Sequence, residues 1–453
     1  MEYIIENGII LTMNQNNKII KDGAVVVEDG RIVDVGKTSE IKLKYGYESI
    51  NAEKNIVMPG LINTHVHLFQ TLGKNLGVDV DLHKWFVRAW RPVAMYMSPD
   101  DYYNAAMLGI IEAIKSGTTT LLAYEHVLNV NDGHIEKVVH ALKDGKIRSI
   151  LGYGYQDTGR DIGAPTIAIR DTKTIYRNLR NAFLKYHRND DMFKLWLAPG
   201  TINWCTEELL EITKQLADEF KTGITVHMNE TRKEKEYSIK HRGGSEVEFA
   251  YRIGLLDRNV LGVHLVWVDE KEIELLAKTK TKVSHNPISN MYLASGIAPI
   301  PLMLKRNIVV SLATDGAASN NNMDMFDVIR VTPLLHKVAT LNPEALSALD
   351  TLKMATILGA RSIMMEKMIG SIEAGKKADI IIVDIHKENT TPFSDPISTL
   401  VYSGSSKNVH TVIVNGEILM REGRILYLDE NKILSKAQKS FDKIREKIQE
   451  EKS

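Results

Sequence analysis

The 453-residue sequence holds a single cysteine, Cys205. That excludes an intrachain disulfide framework and fits a reducing compartment. Metal sites built on several thiolates are excluded with it, so a transition metal would have to sit on His and carboxylate ligands. Net charge is missing as well, 57 Lys+Arg facing 57 Asp+Glu. No basic run stands out, so neither nucleic acid nor an anionic membrane is expected as a main partner. No apolar run approaches the roughly 18 residues a bilayer span needs. The start, Met1-Glu2-Tyr3-Ile4-Ile5-Glu6, lacks a basic stretch before an apolar core, so no signal peptide is read there. The expectation is a soluble, cytoplasmic protein.

With 44% hydrophobic residues, the chain can bury a large core, but its length exceeds one core of ordinary size. The first 56 residues read as short strands (Ile9–Leu11, Ala24–Val27, Ile32–Val35) divided by Asn/Gly and Asp/Gly turns. That is too little sheet to be stable alone. Matching strands occur near the other end, Ala378–Val383, Thr411–Val414 and Ile418–Met420 around the turn Asn415-Gly416. Residues 1–56 and 366–428 are therefore expected to build one composite β-sandwich, into which the middle is inserted.

Residues 57–365 alternate strand-like and helix-like segments, as βα units do. Eight strands are expected: Ile56–Asn63, Thr118–Tyr124, Ile147–Tyr155, Lys194–Pro199, Gly223–Met228, Val260–Leu265, Lys282–Asn286 and Ile308–Thr314. Eight units spell an α/β fold of the (β/α)8 TIM-barrel type, with its active site at the carboxyl ends of the strands. Ser98-Pro99-Asp100-Asp101 supplies a helix start, and Gly117 follows the end of that helix. Residues 429–453 place Leu434, Ala437, Phe441, Ile444 and Ile448 on one face of a docked surface helix.

The ends of these strands carry His65 and His67, His227, His264 and Asp315. Residues two apart on a strand point the same way, so His65 and His67 can face one ion. Zn2+ and Fe2+ both accept imidazole and carboxylate, and a catalytic site keeps one position open for water. A lone His-x-His pair says little; the coincidence of five such residues at one rim carries the inference. Glu230 lies three residues beyond His227, where it could shuttle a proton from a metal-activated water, or merely belong to the charged stretch Glu230–Glu234.

These residues sit in motifs that resemble the amidohydrolase superfamily: Pro59–His67, His227-Met228-Asn229-Glu230-Thr231, Val283-Ser284-His285-Asn286-Pro287 and Thr314–Asn321, with the tail segment Gly370–Asp379. The likeness is to its aminohydrolase and triazine hydrolase branch, which includes adenosylhomocysteine-type and guanine deaminases, melamine deaminase and chlorohydrolases. The resemblance implies one divalent metal, Zn2+ or alternatively Fe2+, held by His65, His67, His227 and Asp315. It implies His264 beside the metal, Asp315 as acceptor of the water proton, and Glu230 as donor to a ring nitrogen. The end of the fourth strand, Ala198-Pro199-Gly200-Thr201, offers no bridging ligand, so the site is expected to be mononuclear. The implied reaction is attack of metal hydroxide on an electron-poor ring carbon with loss of ammonia. Loss of chloride or alkylamine from a triazine is the alternative, and a non-catalytic scaffold is disfavoured by the complete ligand set.

Gln70 and Trp85 match substrate-lining positions of triazine hydrolases, and an amide with an aromatic plate suits a flat nitrogen heterocycle. Trp85 could equally pack in the core, and His285 could be structural. Ser319 and Asn320 could bind substrate or cap a turn, and Glu125 and His126 could contact a ring substituent or only pair with loop residues. Cys205 is expected to be packed rather than reactive. Members that deaminate adenosine derivatives carry a ribose-gripping Glu and an Arg where this chain has Ala94 and Tyr153. The chlorohydrolase pattern has Asn where this chain has Gly316. A free base, triazine or pterin-like ring is therefore expected ahead of a nucleoside. Relatives are commonly dimers or larger, and a homo-oligomer is expected.

Overall fold

In the computed structural model of the protein, residues 2–126, 133–187 and 191–451 are described. The first five strands are β1 (Glu2–Leu11), β2 (Ile19–Glu28), β3 (Arg31–Lys37), β4 (Glu48–Asn51) and β5 (Ile56–Pro59). Eight more follow: β6 (Leu61–Val66), β7 (Thr118–His126), β8 (Arg148–Tyr155), β9 (Phe193–Pro199), β10 (Ile224–Met228), β11 (Val260–His264), β12 (Lys282–His285) and β13 (Val310–Leu312). The last are β14 (Ile380–Val383), β15 (Val409–Val414), β16 (Glu417–Arg421) and β17 (Arg424–Ile425).

Both chain ends build one nine-stranded sheet, ordered β17-β16-β15-β14-β5-β1-β2-β3 with β4 added beside β1. Its strands share a core that joins Ile5, Val25, Val27 and Ile32 to Ile380, Ile382 and Ile413, so the sheet curls upon itself like a sandwich. Tyr3 Oη closes the curl by donating to the Gly416 carbonyl at 3.0 Å. The β15–β16 turn has Asn415 at φ 50° and Gly416 at φ 80°, the left-handed pair that a two-residue hairpin turn requires.

The second sheet runs β6 through β13 in sequence order, with parallel neighbours throughout. Asp315 N–H donates to the His65 carbonyl (3.0 Å) and Asn63 Nδ2 to Thr314 Oγ1 (2.7 Å), which draws the last strand to the first and nearly closes the barrel. Ile62, Leu122, Ile150, Trp196 and Leu261, from five different strands, meet in one cluster with Ile363, Met365 and Ile369. Side chains from so many strands can meet only in the lumen, so the barrel is a filled core and its chemistry must lie at the rim.

The expected first strand, Ile56–Asn63, is in fact two. Residues Ile56–Pro59 pair with β1 and β14 in the curled sheet, and the barrel begins only at Leu61. Gly60 is the switch between sheets: a Cβ there would lie 2.1 Å from the Thr119 side chain. The helix Pro99–Lys115 starts on a Ser98/Asp101 capping box. The terminal helix Glu430–Glu450 docks by Ala437 and Ile444, with Lys115–Glu430 (2.5 Å) and Asn104 Nδ2 to Ser440 Oγ (3.1 Å) at its edge. Leu434 is half-exposed and Ile433 packs inward instead, so the buried stripe is one residue out of the expected register there. Among the described residues no helix is long and apolar enough to cross a membrane.

Candidate metal centre and active-site cleft

His65 lies on β6 and His67 just beyond it, with their Nε2 atoms 3.1 Å apart. Asp315, past β13, brings Oδ1 to 3.5 Å from His65 Nε2 and 3.4 Å from His67 Nε2. His227, the penultimate residue of β10, has its ring centroid 4.8 Å from that of His65. His67 Nδ1 donates to the Tyr124 carbonyl (2.8 Å) and His227 Nδ1 to the Gly200 carbonyl (2.7 Å), which leaves both Nε2 lone pairs facing inward. The His65 and His67 Nε2 atoms, 3.1 Å apart with Asp315 Oδ1 within 3.5 Å of both, form a donor set that a cation fits. Burial pushes the His65 pKa down to about 4 and those of His67 and His227 down as well, so the imidazoles are neutral, as ligands must be. Burial pushes the Asp315 carboxyl up, but the hydrogen bond from His65 and the surrounding histidines outweigh it and hold it well below the usual range. Geometry alone also groups His264 with His65 and His227.

The second half of the site stands on unusual backbone. Asn229, His264 and Asp315 have φ of 48°, 72° and 63°, in the left-handed region that non-glycine residues seldom enter. Asn229 is locked there: its N–H donates to Glu246 Oε2 (2.5 Å), and its amide donates to Glu272 Oε1 (2.8 Å) and the Trp267 carbonyl (2.9 Å). This fixes the chain between His227 and Glu230. Beyond Glu230, the Glu234 carboxylate accepts from Thr231 N–H and Oγ1–H, both at 2.9 Å, to start the next helix. Glu230 and Glu234 are buried, not a solvated charge run. Glu230 Oε2 lies 3.6 Å from His264 Nε2, and burial, aided by the charge of Asp315, pushes its pKa up to about 8.

One cleft at this rim is lined by His67, His227, Glu230, His264 and Asp315 together with Gln70, Trp85, His126 and Ser319. Trp85 lines the cleft while its Nε1–H donates to the Ala318 carbonyl (2.9 Å). Gln70 Oε1 and His126 Nδ1 are buried without a partner among the described residues. Two expected substrate contacts are not brought to the cleft. Glu125 Oε1 instead accepts the Leu68 N–H (2.6 Å), bracing the turn after His67, and His285 turns Nε2 to His336 Nε2 (3.1 Å). Asn320 Nδ2 donates to the Thr314 carbonyl (2.8 Å), a turn contact, and Cys205 is buried against the Tyr155 carbonyl. Ala94 and Tyr153 belong to the outer core and do not line the cleft.

Sequence reasoning missed the rest of the aromatic wall, Phe86, Trp90 and Trp204, and the segment from Ser289 to Ser295. Only the motif Ser284-His285-Asn286-Pro287 pointed toward that segment.

The amidohydrolase family pattern matches residues 56–419. The chain is 36% identical over 441 residues to a 5-methylthioadenosine/S-adenosylhomocysteine deaminase of Thermodesulfovibrio yellowstonii, covering 96% of this chain and 97% of that protein. It is 35% identical to a 5'-deoxyadenosine deaminase of Methanosarcina acetivorans, covering 98% of each. An adenosine deaminase structure from Xanthomonas campestris with bound zinc superposes with a TM-score of 0.91 at 27% identity, covering 98% of both chains. A triazine hydrolase structure reaches a TM-score of 0.91 at 24% identity, covering 97% of this chain and 99% of that one, a likeness of fold alone. The chain belongs to the amidohydrolase family and is one of its hydrolytic deaminases.

Proposed function

We propose that His65, His67, His227 and Asp315 hold one zinc ion, and that the chain removes an exocyclic amino group from an amino-substituted aromatic nitrogen heterocycle. The observation that carries this is the grouping of His65 with His67 and Asp315, and of His65 with His227 and His264, beside a buried Glu230 whose pKa is pushed up to about 8. When bound, the ion supplies a Lewis acid that brings the pKa of a coordinated water toward neutrality. Asp315 takes the proton of the attacking water. Glu230, with its pKa near 8, carries a proton at neutral pH and delivers it to the ring nitrogen beside the attacked carbon. His264 orients the water from the other side. Gln70 and the Trp85 face hold the ring in the plane that this attack needs. The amino group then takes the proton held by Asp315 and leaves as ammonia, while the new hydroxyl gives its proton back to Glu230 as the carbonyl forms.

The relatives' activities support a 6-aminopurine as the ring. The residues at 94 and 153 support a ribose, where one is present, held otherwise than by a Glu and an Arg at those positions. Dehalogenation is disfavoured at Gly316, where a Cβ would lie 1.8 Å from Gln70 Oε1, leaving no room for an asparagine unless Gln70 moves. The test is ammonia release across purines, pyrimidines, pterins, triazines and adenosine derivatives. Release of ammonia from an amino-substituted ring supports the proposal, and release of chloride or alkylamine in its place would overturn it.

A further inference from the structure

Three proton-handling groups of the cleft are each bonded by a side chain from one short segment. Ser289 Oγ–H donates to Asp315 Oδ2 at 2.6 Å. Asn290 Nδ2 lies 3.0 Å from His264 Nδ1. Ser295 Oγ–H donates to Glu230 Oε1 at 3.2 Å. All three partners are buried, and Ser289, Asn290 and Ser295 are themselves at most 5% exposed. The segment is rigid for local reasons. Pro287 sets the first turn of the helix Pro287–Tyr292, Ser295 N–H donates to the Asn290 carbonyl (2.8 Å), and Trp267 Nε1–H donates to the Ser295 carbonyl (2.7 Å).

Resting on the deaminase reading above, we propose that Ser289, Asn290 and Ser295 are positioning residues that assign each catalytic group its working atom. A carboxyl oxygen that accepts a hydroxyl proton is disfavoured as the site of its own proton. Ser295 on Oε1 therefore leaves the Glu230 proton on Oε2, which at 3.6 Å from His264 Nε2 makes no hydrogen bond to it. Asp315 is divided in the same way. Its Oδ1 accepts the Gly316 N–H (2.7 Å) and faces the ligand histidines, while Ser289 holds Oδ2 outside that set and fixes the plane of the carboxylate. The amides of Asn290 and, at 3.4 Å, Asn286 both point at His264 Nδ1. That nitrogen is the acceptor, so the ring proton stands on Nε2, where His264 acts as a donor rather than as a fourth imidazole ligand.

Ser295→Ala tests this through a split between kcat and KM. The expected result is a fall in kcat of about tenfold or more with KM little changed, zinc content and melting temperature as in wild type, and recovery in Ser295→Thr. Met291→Ala alters the same helix at a half-exposed side chain that touches none of the three groups and is expected to leave kcat unchanged. If Ser295→Ala turns over at the wild-type rate, or Met291→Ala slows it as much, the segment is only structural and the proposal falls. Independently of turnover, the imidazole 15N shifts of His264 should report the Nε2–H form in wild type and lose it in Asn290→Leu. Unchanged shifts would remove Asn290 from this role. An active wild type indifferent to Ser295→Ala overturns this inference alone, whereas a wild type that releases no ammonia overturns the deaminase reading with it.

Discussion

Arg148, at the start of β8, and Asp379, just before β14, join the foot of the barrel to the composite sheet, and Asp379→Ala should destabilise that junction strongly. Arg148 Nε and Nη2 donate to the two Asp379 oxygens at 2.6 and 2.8 Å, with side chains 0% and 2% exposed. Asp379 Oδ1 also accepts the Asn415 N–H at 2.8 Å, and its carbonyl accepts the Gly60 N–H at 2.9 Å, at the point where the chain changes sheets. Removing the carboxylate strips a buried guanidinium of its bidentate counter-ion, a loss that typically costs about 3–5 kcal/mol. For a chain of 453 residues, an unfolding entropy of about 2.1 cal/mol/K per residue totals about 0.95 kcal/mol/K. A loss of ~4 kcal/mol then lowers Tm by about 4 °C if both sheets melt together, and the first transition by more if the composite sheet melts first. Circular dichroism melts of wild type, Asp379→Ala, Arg148→Met and the double variant would measure this. Because the apolar pair leaves no charge buried, the double variant should recover much of the loss, as a coupling energy in the cycle. Losses that simply add, or a Tm unchanged in Asp379→Ala, would refute the claim that this pair ties the two sheets.

Glu230→Gln should keep its metal and lose turnover by roughly 10²–10⁴, checked by steady-state kinetics beside metal analysis; undiminished turnover would remove Glu230 from the reaction. Because burial pushes the Glu230 pKa up to about 8 and the proposed mechanism uses its acid form, kcat/KM should fall as pH rises through that value. Burial, only partly offset by two backbone N–H donors, likewise pushes the Glu125 pKa from 4.5 up to about 8. Its contribution to stability is thus full below pH 4.5 and lost as pH rises through about 8, and Glu125→Gln should flatten that part of a Tm-against-pH curve. Gly316→Asn should lower activity by driving Gln70 from its place, and an unaltered KM would show that Gln70 does not orient the substrate.

Much of the fold was legible because its signals are local. Turn pairs such as Asn415-Gly416, the Ser98–Asp101 helix start and the barrel's strand-like runs each report their own backbone. The sheet switch at Gly60 was not legible, because Ile56–Asn63 is apolar throughout and only the close approach of Thr119 divides it. The histidines proposed as ligands and Asp315 stood out in the sequence as strand-end residues. Glu125 and His126 show where that stops: they are neighbours on β7, yet alternation sends only His126 to the cleft. His285 likewise meets His336, 51 residues away in sequence. The same holds for Ser289, Asn290 and Ser295, whose partners are 26 to 65 residues distant and whose types alone say nothing.

The most direct test measures metal content and ammonia release on one sample, before and after chelation and after zinc is restored. One divalent ion per chain, ammonia formed from an aminoheterocycle, loss of that activity with the metal and its return with zinc are predicted, with Asp315→Ala and His227→Ala inactive throughout. Full ammonia release from metal-free protein, or an active Asp315→Ala, would contradict the assignment of these residues as the catalytic ligand set.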